Sequence, residues 1–216
     1  WDGIFERLKT QNFFVVRLNS LISKFVLPLT VDSIVDEILA RHPETGRFIE
    51  IGCGEGTGSI GLLRAGDYSV VLVDSNDFAL KAAAGYLRNN DFHQNVHILK
   101  ADFYERSLPI KEKSFDISFN IGTIEHFDDP VKVVREMARV ANRVACSVPA
   151  PSPYWWIGTQ IRRMIEKDHT HWTERTQYYS IEALSKIFRD AGLRNIQTSQ
   201  SRLLGLPVMN VAFGDA

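Results

Sequence analysis

Phe48-Ile-Glu-Ile-Gly-Cys-Gly-Glu-Gly-Thr-Gly58 decides how the rest of the chain is read. The apolar run over residues 47–52 predicts a short buried strand, and glycines at 52, 54, 56 and 58 lead into a helix over 57–64. Glycine lets the backbone take positive φ and lets another molecule approach the main chain with no Cβ between them. A strand, a glycine turn and a helix N-terminus, in that order, form a crevice at the carboxyl edge of an open parallel sheet.

Outward from this loop the pattern alternates. Thr30 is placed to cap a helix holding Ile34, Ile38 and Leu39, which stops near His42-Pro43. Strands are expected over 69–74, 96–100, 115–121 and 143–148, with helices over 77–88 and 128–140 between them. After Pro149 the rhythm changes. A polar helix is expected around 160–167, then one over 181–191 that Gly192 ends, then two β stretches, 195–203 and 208–213, close enough to pair. The expected fold is α/β: a doubly wound, mostly parallel sheet with helices on both faces and an antiparallel end.

The composition sets limits. The 216 residues are 44% hydrophobic and 24% charged, which suits one globular domain and excludes a disordered chain. Lys+Arg 25 against Asp+Glu 26 gives a net charge of −1, which argues against a nucleic-acid clamp. Cys53 and Cys146 cannot build a disulfide framework, so two free thiols and a reducing, cytoplasmic compartment are expected. The apolar stretch 13–29 is broken by Arg17, Lys24 and Pro28 and is too short to span a bilayer. Phe14, Leu18, Leu21 and Phe25 share one helical stripe within it, so residues 1–30 are expected to form a helical cover.

Two details say what the crevice is suited to hold. A G-x-G-x-x-G loop begun at Gly52 needs glycine at 57, where Thr57 stands, and Glu50 with Glu55 makes the loop acidic. A pyrophosphate on a helix N-terminus wants positive potential; an acidic loop suits a ligand that carries positive charge. Asp74 ends the next strand, 22 residues past Gly52, where its carboxylate can accept both hydroxyls of a ribose.

With these residues in place, the sequence resembles the class I S-adenosylmethionine-dependent methyltransferases. Glu50-Ile-Gly-Cys-Gly-Glu-Gly56 is similar to their first motif, [DE]-x-G-x-G-x-G, and Asp74 to their acidic ribose ligand. Ala101-Asp-Phe103 resembles their adenine-binding segment, and Phe115-Asp-Ile-Ser-Phe-Asn-Ile121 their fourth strand, whose end meets the methionine part of the cofactor. The resemblance covers roughly residues 40–195. It implies a Rossmann-like seven-stranded sheet with its last strand antiparallel. It also implies that S-adenosylmethionine is held by Glu50, Gly52, Cys53, Gly54, Gly56, Asp74, Ser75, Asp102, Phe103, Asn120 and Ile121. Asp102 would accept from the adenine amino group and Phe103 would cover the ring. Because Cys53 lies in this loop, a bulky thiol reagent is expected to block binding.

The implied reaction moves a methyl group to an oxygen, nitrogen or carbon of a small molecule and leaves S-adenosylhomocysteine. Its rivals are a nicotinamide-dependent oxidoreductase and a cofactor-binding, non-catalytic domain. Thr57 weighs against the first, and so does the lack of a Lys four residues after Tyr86, Tyr104, Tyr178 or Tyr179. A proton acceptor is needed only if the nucleophile arrives protonated, and His126, His169 and His171 are the candidates for that role or for placing the substrate. Glu125 and His126 can equally open a loop before the helix near Asp128. Some relatives carry E-x-x-E-H here and bind a divalent ion; Gly122 replaces the first acid, so no metal is expected. Residues 31–216 would form the catalytic domain, with a substrate-side insertion over about 150–178. The aromatics of that insertion, Tyr154, Trp155, Trp156, Trp172, Tyr178 and Tyr179, fit either surface packing or an aromatic pocket.

Overall fold

A computed structural model describes residues 31, 34–41, 45–90, 92, 95–153, 155 and 176–216. Thr30, His42-Pro43, the helical cover, the helix around 160–167, His169, His171, Tyr154, Trp156 and Trp172 lie outside the described residues.

Helix α1 covers residues 34–41. Strand β1 (Thr45–Ile51) follows, then α2 (Thr57–Ala65), β2 (Asp67–Asp74), α3 (Asp77–Asn89) and β3 (Val96–Lys100). Next come β4 (Phe115–Ile121), a single 3-10 turn (Ile124–His126), α4 (Pro130–Val140) and β5 (Ala141–Pro149). The chain ends with α5 (Ile181–Asp190), β6 (Arg194–Leu203) and β7 (Leu206–Asp215). The seven strands form one sheet in the order β3-β2-β1-β4-β5-β7-β6. β1 through β5 run parallel, and β7 lies antiparallel to both β5 and β6. This is the expected doubly wound sheet with its antiparallel end.

Alternation along the strands builds a core on each face. Phe48, Ile117, Phe119 and Val211 pack with Ile34 and Ile38 of α1, Ile60 and Leu62 of α2, and Leu80, Ala83 and Leu87 of α3. On the other face Ile49, Ile51, Val144 and Val148 meet Val133, Val134 and Met137 of α4 and Leu184, Ile187 and Phe188 of α5. β1 is thus apolar at three of its last four positions because both of its faces are covered.

The helix starts are specified locally. Asn76 caps α3 by accepting from the Phe78 and Ala79 amides at 2.8 and 3.1 Å, and Ser180 caps α5 through the Ala183 amide at 3.2 Å. The helix expected from Asp128 begins two residues later: Asp129 accepts from the Lys132 amide at 3.1 Å and Pro130 takes the first helical position. β6 and β7 are joined by Leu204-Gly205, both at positive φ, between the paired Leu203 and Leu206. That is the two-residue loop whose twist suits a hairpin.

The strand order reverses between β1 and β4, so the crevice of the fold opens where their carboxyl ends part. No helix of the described residues is long and apolar enough to cross a membrane.

Ile117 sits at the centre of the sheet with no exposed surface. Ile117→Ala is expected to cost about 2–5 kcal/mol. In urea unfolding this appears as a lower midpoint at unchanged slope.

Candidate functional site

The glycine loop is forced into shape by what lies on either side. Gly52, Gly54 and Gly56 all have positive φ, at 69°, 53° and 76°. The Gly52 and Cys53 amides both donate to the Val73 carbonyl, at 2.8 and 3.0 Å, which ties the loop to the end of β2. A Cβ on Gly52 would lie 2.3 Å from Thr123 Cγ2, and one on Gly56 would lie 2.5 Å from Leu72 Cδ2. Gly54 is different: a Cβ there would meet nothing within 4 Å among the described residues. Two glycines are therefore required by the protein's own packing, and the third leaves a stretch of main chain that no described residue covers.

Asp74 stands directly beside that opening. Its Oδ2 accepts from the Gly54 amide at 3.0 Å and its Oδ1 from the Asn76 amide at 2.9 Å. Each carboxylate oxygen has a second lone pair, so the two backbone donors orient the group and leave it able to accept two hydroxyls. Ser75, next to it, is exposed. The Ala101 amide donates to the Asp74 carbonyl at 3.0 Å, which brings the end of β3 to the same edge. There Asp102 is exposed, and its Oδ1 accepts from the Tyr104 and Glu105 amides, both at 3.0 Å, while Oδ2 takes no part in that turn.

Several expected ligand residues are turned elsewhere. Glu50 is 2% exposed and its Oε2 accepts from the Ser59 amide at 3.0 Å and from the Ser59 hydroxyl. A Cβ on Gly58 would lie 2.8 Å from Glu50 Oε1. The carboxyl therefore underlies the start of α2 instead of lining the crevice. Burial is the main cause that pushes it up to about 7; the Ser59 hydrogen bonds oppose the shift and the Asp74 charge adds to it. Phe103 does not lie open to cover a ring. It is buried in the second core and packs edge-on against Phe127 at 5.5 Å. Asn120 is fully buried, and its Nδ2 points to Met137 Sδ at 3.2 Å and Cys146 Sγ at 3.5 Å. Because Phe119 faces the first core, Asn120 on the same strand must face the second. Ile121 is half-buried, with its Cδ1 near Gly58 at the mouth of the loop.

The Cys53 side chain is also inside, in the first core. Burial raises its thiol far above the usual range, with the Glu50 and Asp74 charges adding to the effect. Thiolate is the reactive form, so the expected blockade by thiol reagents does not follow from this position.

On the other side of the crevice, the hydroxyl of Thr123 donates to the Gly52 carbonyl at 3.2 Å, joining the end of β4 to the glycine loop. His126 is half-buried, and loss of hydration holds its imidazole below its ordinary value. It is therefore neutral at pH 7 and able to accept a proton. Glu125 is 1% exposed, and burial pushes it up to about 8. Trp155 donates through Nε1 to the Val208 carbonyl at 2.6 Å, which anchors the start of the insertion to β7. At its far end Tyr178 is 40% exposed, whereas the Tyr179 hydroxyl donates to Gln177 Oε1 at 3.0 Å. Sequence reasoning missed Ser59 and Thr123. Nothing but their position beside a glycine loop distinguishes them.

Residues 49–143 match a family of methyltransferase domains. A probable S-adenosylmethionine-dependent methyltransferase of Mycobacterium tuberculosis is 34% identical over 107 residues, 50% of this chain and 36% of that protein. The chloroplastic 2-methyl-6-phytyl-1,4-hydroquinone methyltransferase 2 of Oryza sativa subsp. japonica is 24% identical over 144 residues, 63% of this chain and 40% of that one. The chain thus spans well under half the length of these curated relatives. Among solved structures, magnesium protoporphyrin IX methyltransferase from Synechocystis with bound SAH superposes with a TM-score of 0.66 at 19% identity, covering 87% of this chain and 82% of that one. A possible histamine N-methyltransferase from Thermotoga maritima gives 0.67 at 22%, covering 94% and 95%. At these identities the structural likeness speaks for the fold.

Glu50 and Glu125 both hold their protons more tightly in the folded chain than at the ordinary value of 4.5. Above pH 4.5 an unfolded chain releases protons that the folded chain keeps. The stability these groups contribute is therefore full below pH 4.5 and is lost as pH rises through about 7 and about 8. Denaturant unfolding of ligand-free protein at pH 5.5 and pH 8 is expected to show the lower stability at pH 8. Glu50→Gln should narrow that difference.

Proposed function

We propose that this chain, which belongs to the class I S-adenosylmethionine-dependent methyltransferases, moves the methyl group of S-adenosylmethionine to a small molecule. The observation that carries the reading is the pairing of Gly54 and Asp74. Main chain bare of any Cβ meets none of the described residues there, and beside it stands a carboxylate held by the Gly54 amide at 3.0 Å with lone pairs to spare. That donor set fits a nucleoside: the carboxylate for two ribose hydroxyls, the Asp102 carboxylate for an adenine amino group, and the Gly52–Gly56 main chain for the rest. Glu50 serves this site from beneath, by fixing the loop and the start of α2 to each other. The charges of Asp74 and Glu55 suit a cationic ligand and disfavour the pyrophosphate of a nicotinamide cofactor.

S-adenosylmethionine supplies an activated methyl group on a sulfonium, which leaves by in-line displacement. The protein's share is mainly orientation, and fixing two reactants in line can supply several kcal/mol. Thr123 contributes by tying the end of β4, on the substrate side, to the loop on the cofactor side. Where the nucleophile is a phenol, hydroxyl or ammonium, the neutral imidazole of His126 is the described group able to take its proton. His169 and His171 remain alternatives for that role. The near-neutral charge of the chain favours a small-molecule substrate over nucleic acid, and the two free cysteines suit a cytoplasmic setting.

Titration calorimetry with S-adenosylhomocysteine tests the reading: binding is expected, and NAD(H) binding in its place overturns it. Asp74→Ala should weaken S-adenosylhomocysteine binding about tenfold or more, since each tenfold is 1.4 kcal/mol. Gly54→Ala should cost about 1 kcal/mol of stability, the penalty for its left-handed backbone, while losing much more affinity. Labelled methyl donor incubated with a metabolite extract separates an enzyme from a non-catalytic binder, for which no labelled product forms.

A further inference from the structure

The polar atoms that most need explaining lie along β4 and the turn that follows it. Asn120 Oδ1 and Glu125 Oε2 are buried and accept no hydrogen bond from any described residue. A buried carboxyl in that condition is costly and rarely kept without a use. Glu125 sits four residues past the end of β4, and Gly122 allows it to approach: a Cβ there would already be 3.4 Å from Glu125 Oε1.

The main chain of Glu125 holds something specific. Its carbonyl accepts from the Gln177 amide at 3.1 Å. Gln177 Nε2 reaches the Phe127 carbonyl at 3.5 Å, and Gln177 Oε1 takes the Tyr179 hydroxyl at 3.0 Å. The Tyr179 carbonyl in turn accepts from Asn210 Nδ2 of β7 at 2.8 Å. Residues 177–179 are thus clasped between the 3-10 turn and β7, at the carboxyl edge and at the far end of the insertion.

No cation among the described groups packed here neutralises the carboxyl. Its neighbours are His126 on its own turn, the thiol of Cys146 on β5 and the phenol of Tyr179; the Glu125 charge raises both of the latter. α4 also packs on the turn, but its charges are engaged elsewhere. Lys132 lies over the Tyr104 ring at 4.4 Å, Arg135 binds the Asp190 carbonyl at 2.7 Å, and Arg139 pairs with Glu136 at 2.7 Å.

We propose that Glu125 is a positioning residue which, as a neutral acid, keeps residues 177–179 clasped to the carboxyl edge, and that its ionisation loosens the clasp. Among the described residues the charge gains only its own main-chain amide against the loss of hydration, so the turn must open to hydrate it, and the Glu125 carbonyl leaves the Gln177 amide. Burial sets the ionisation near pH 8. The clasp borders the side on which a methyl acceptor would sit, so its part in methyl transfer rests on the function proposed above. The clasp itself does not.

Hydrogen exchange of the full chain, without cofactor and corrected for intrinsic rates, tests it. Protection of the 176–180 segment is expected to fall about tenfold or more between pH 7 and pH 9.5 in the wild type. It should stay level in Glu125→Gln, which cannot ionise. Tyr179→Phe, which removes one bond of the clasp, should lower protection at every pH and keep the pH dependence. Equal pH dependence in the wild type and Glu125→Gln overturns the proposal, as does constant wild-type protection. S-adenosylhomocysteine calorimetry on the same samples reports separately on the cofactor reading.

Discussion

Much of this molecule depends on one buried carboxyl. Glu50 leaves the end of β1 and accepts two hydrogen bonds from Ser59 in the first turn of α2. A strand and a helix tied nine residues apart by their own side chains leave the segment between them little freedom. It turns back on itself with three residues in the left-handed region, which glycine occupies without strain. Gly58 is explained by the same group, since a methyl there would press on the carboxyl. The acid is costly to bury, and what it secures is the shape of the loop.

The crevice is then assembled from the ends of four strands, β1 to β4, which meet through main-chain carbonyls. Val73 receives two amides from the loop, the Asp74 carbonyl receives Ala101, and Thr123 reaches across to Gly52. None of these contacts depends on a long side chain, so the edge carries little rotamer entropy. The side chains free to meet a ligand, Asp74 and Asp102 among them, are short and fixed by neighbouring amides. A site built in this way is organised before anything enters it.

The sheet and the glycine loop were legible in the sequence because both follow from spacing. Apolar runs of strand length alternate with helical ones, and four glycines recur at every second position from 52 to 58. Side-chain direction was less legible. Asn120 and Phe103 stand where a ligand group is expected, yet both turn into the core behind the sheet. Alternation fixes that Asn120 opposes Phe119, but which helical layer each faces depends on which helices cross over which face. The Glu50 side chain was illegible in a related way: an acid beside a glycine loop looks like a contact for the ligand, and Ser59, which donates to it, has no signature. The clasp of Gln177 and Tyr179 joins residues about 50 apart in the chain to the 3-10 turn, and no local pattern announces it.

The strand order has a consequence for how the chain comes off the ribosome. β7 is wedged between β5 and β6, and β6 has no other partner in the sheet among the described residues. Until residues 206–215 have been made, the outer edge of β5, buried at seven of its nine positions in the finished fold, has nothing to pair with. An unpaired apolar edge is a template for wrong partners. The tight Leu204-Gly205 turn shortens that exposure, because β6 and β7 can form as a hairpin and dock on β5 together.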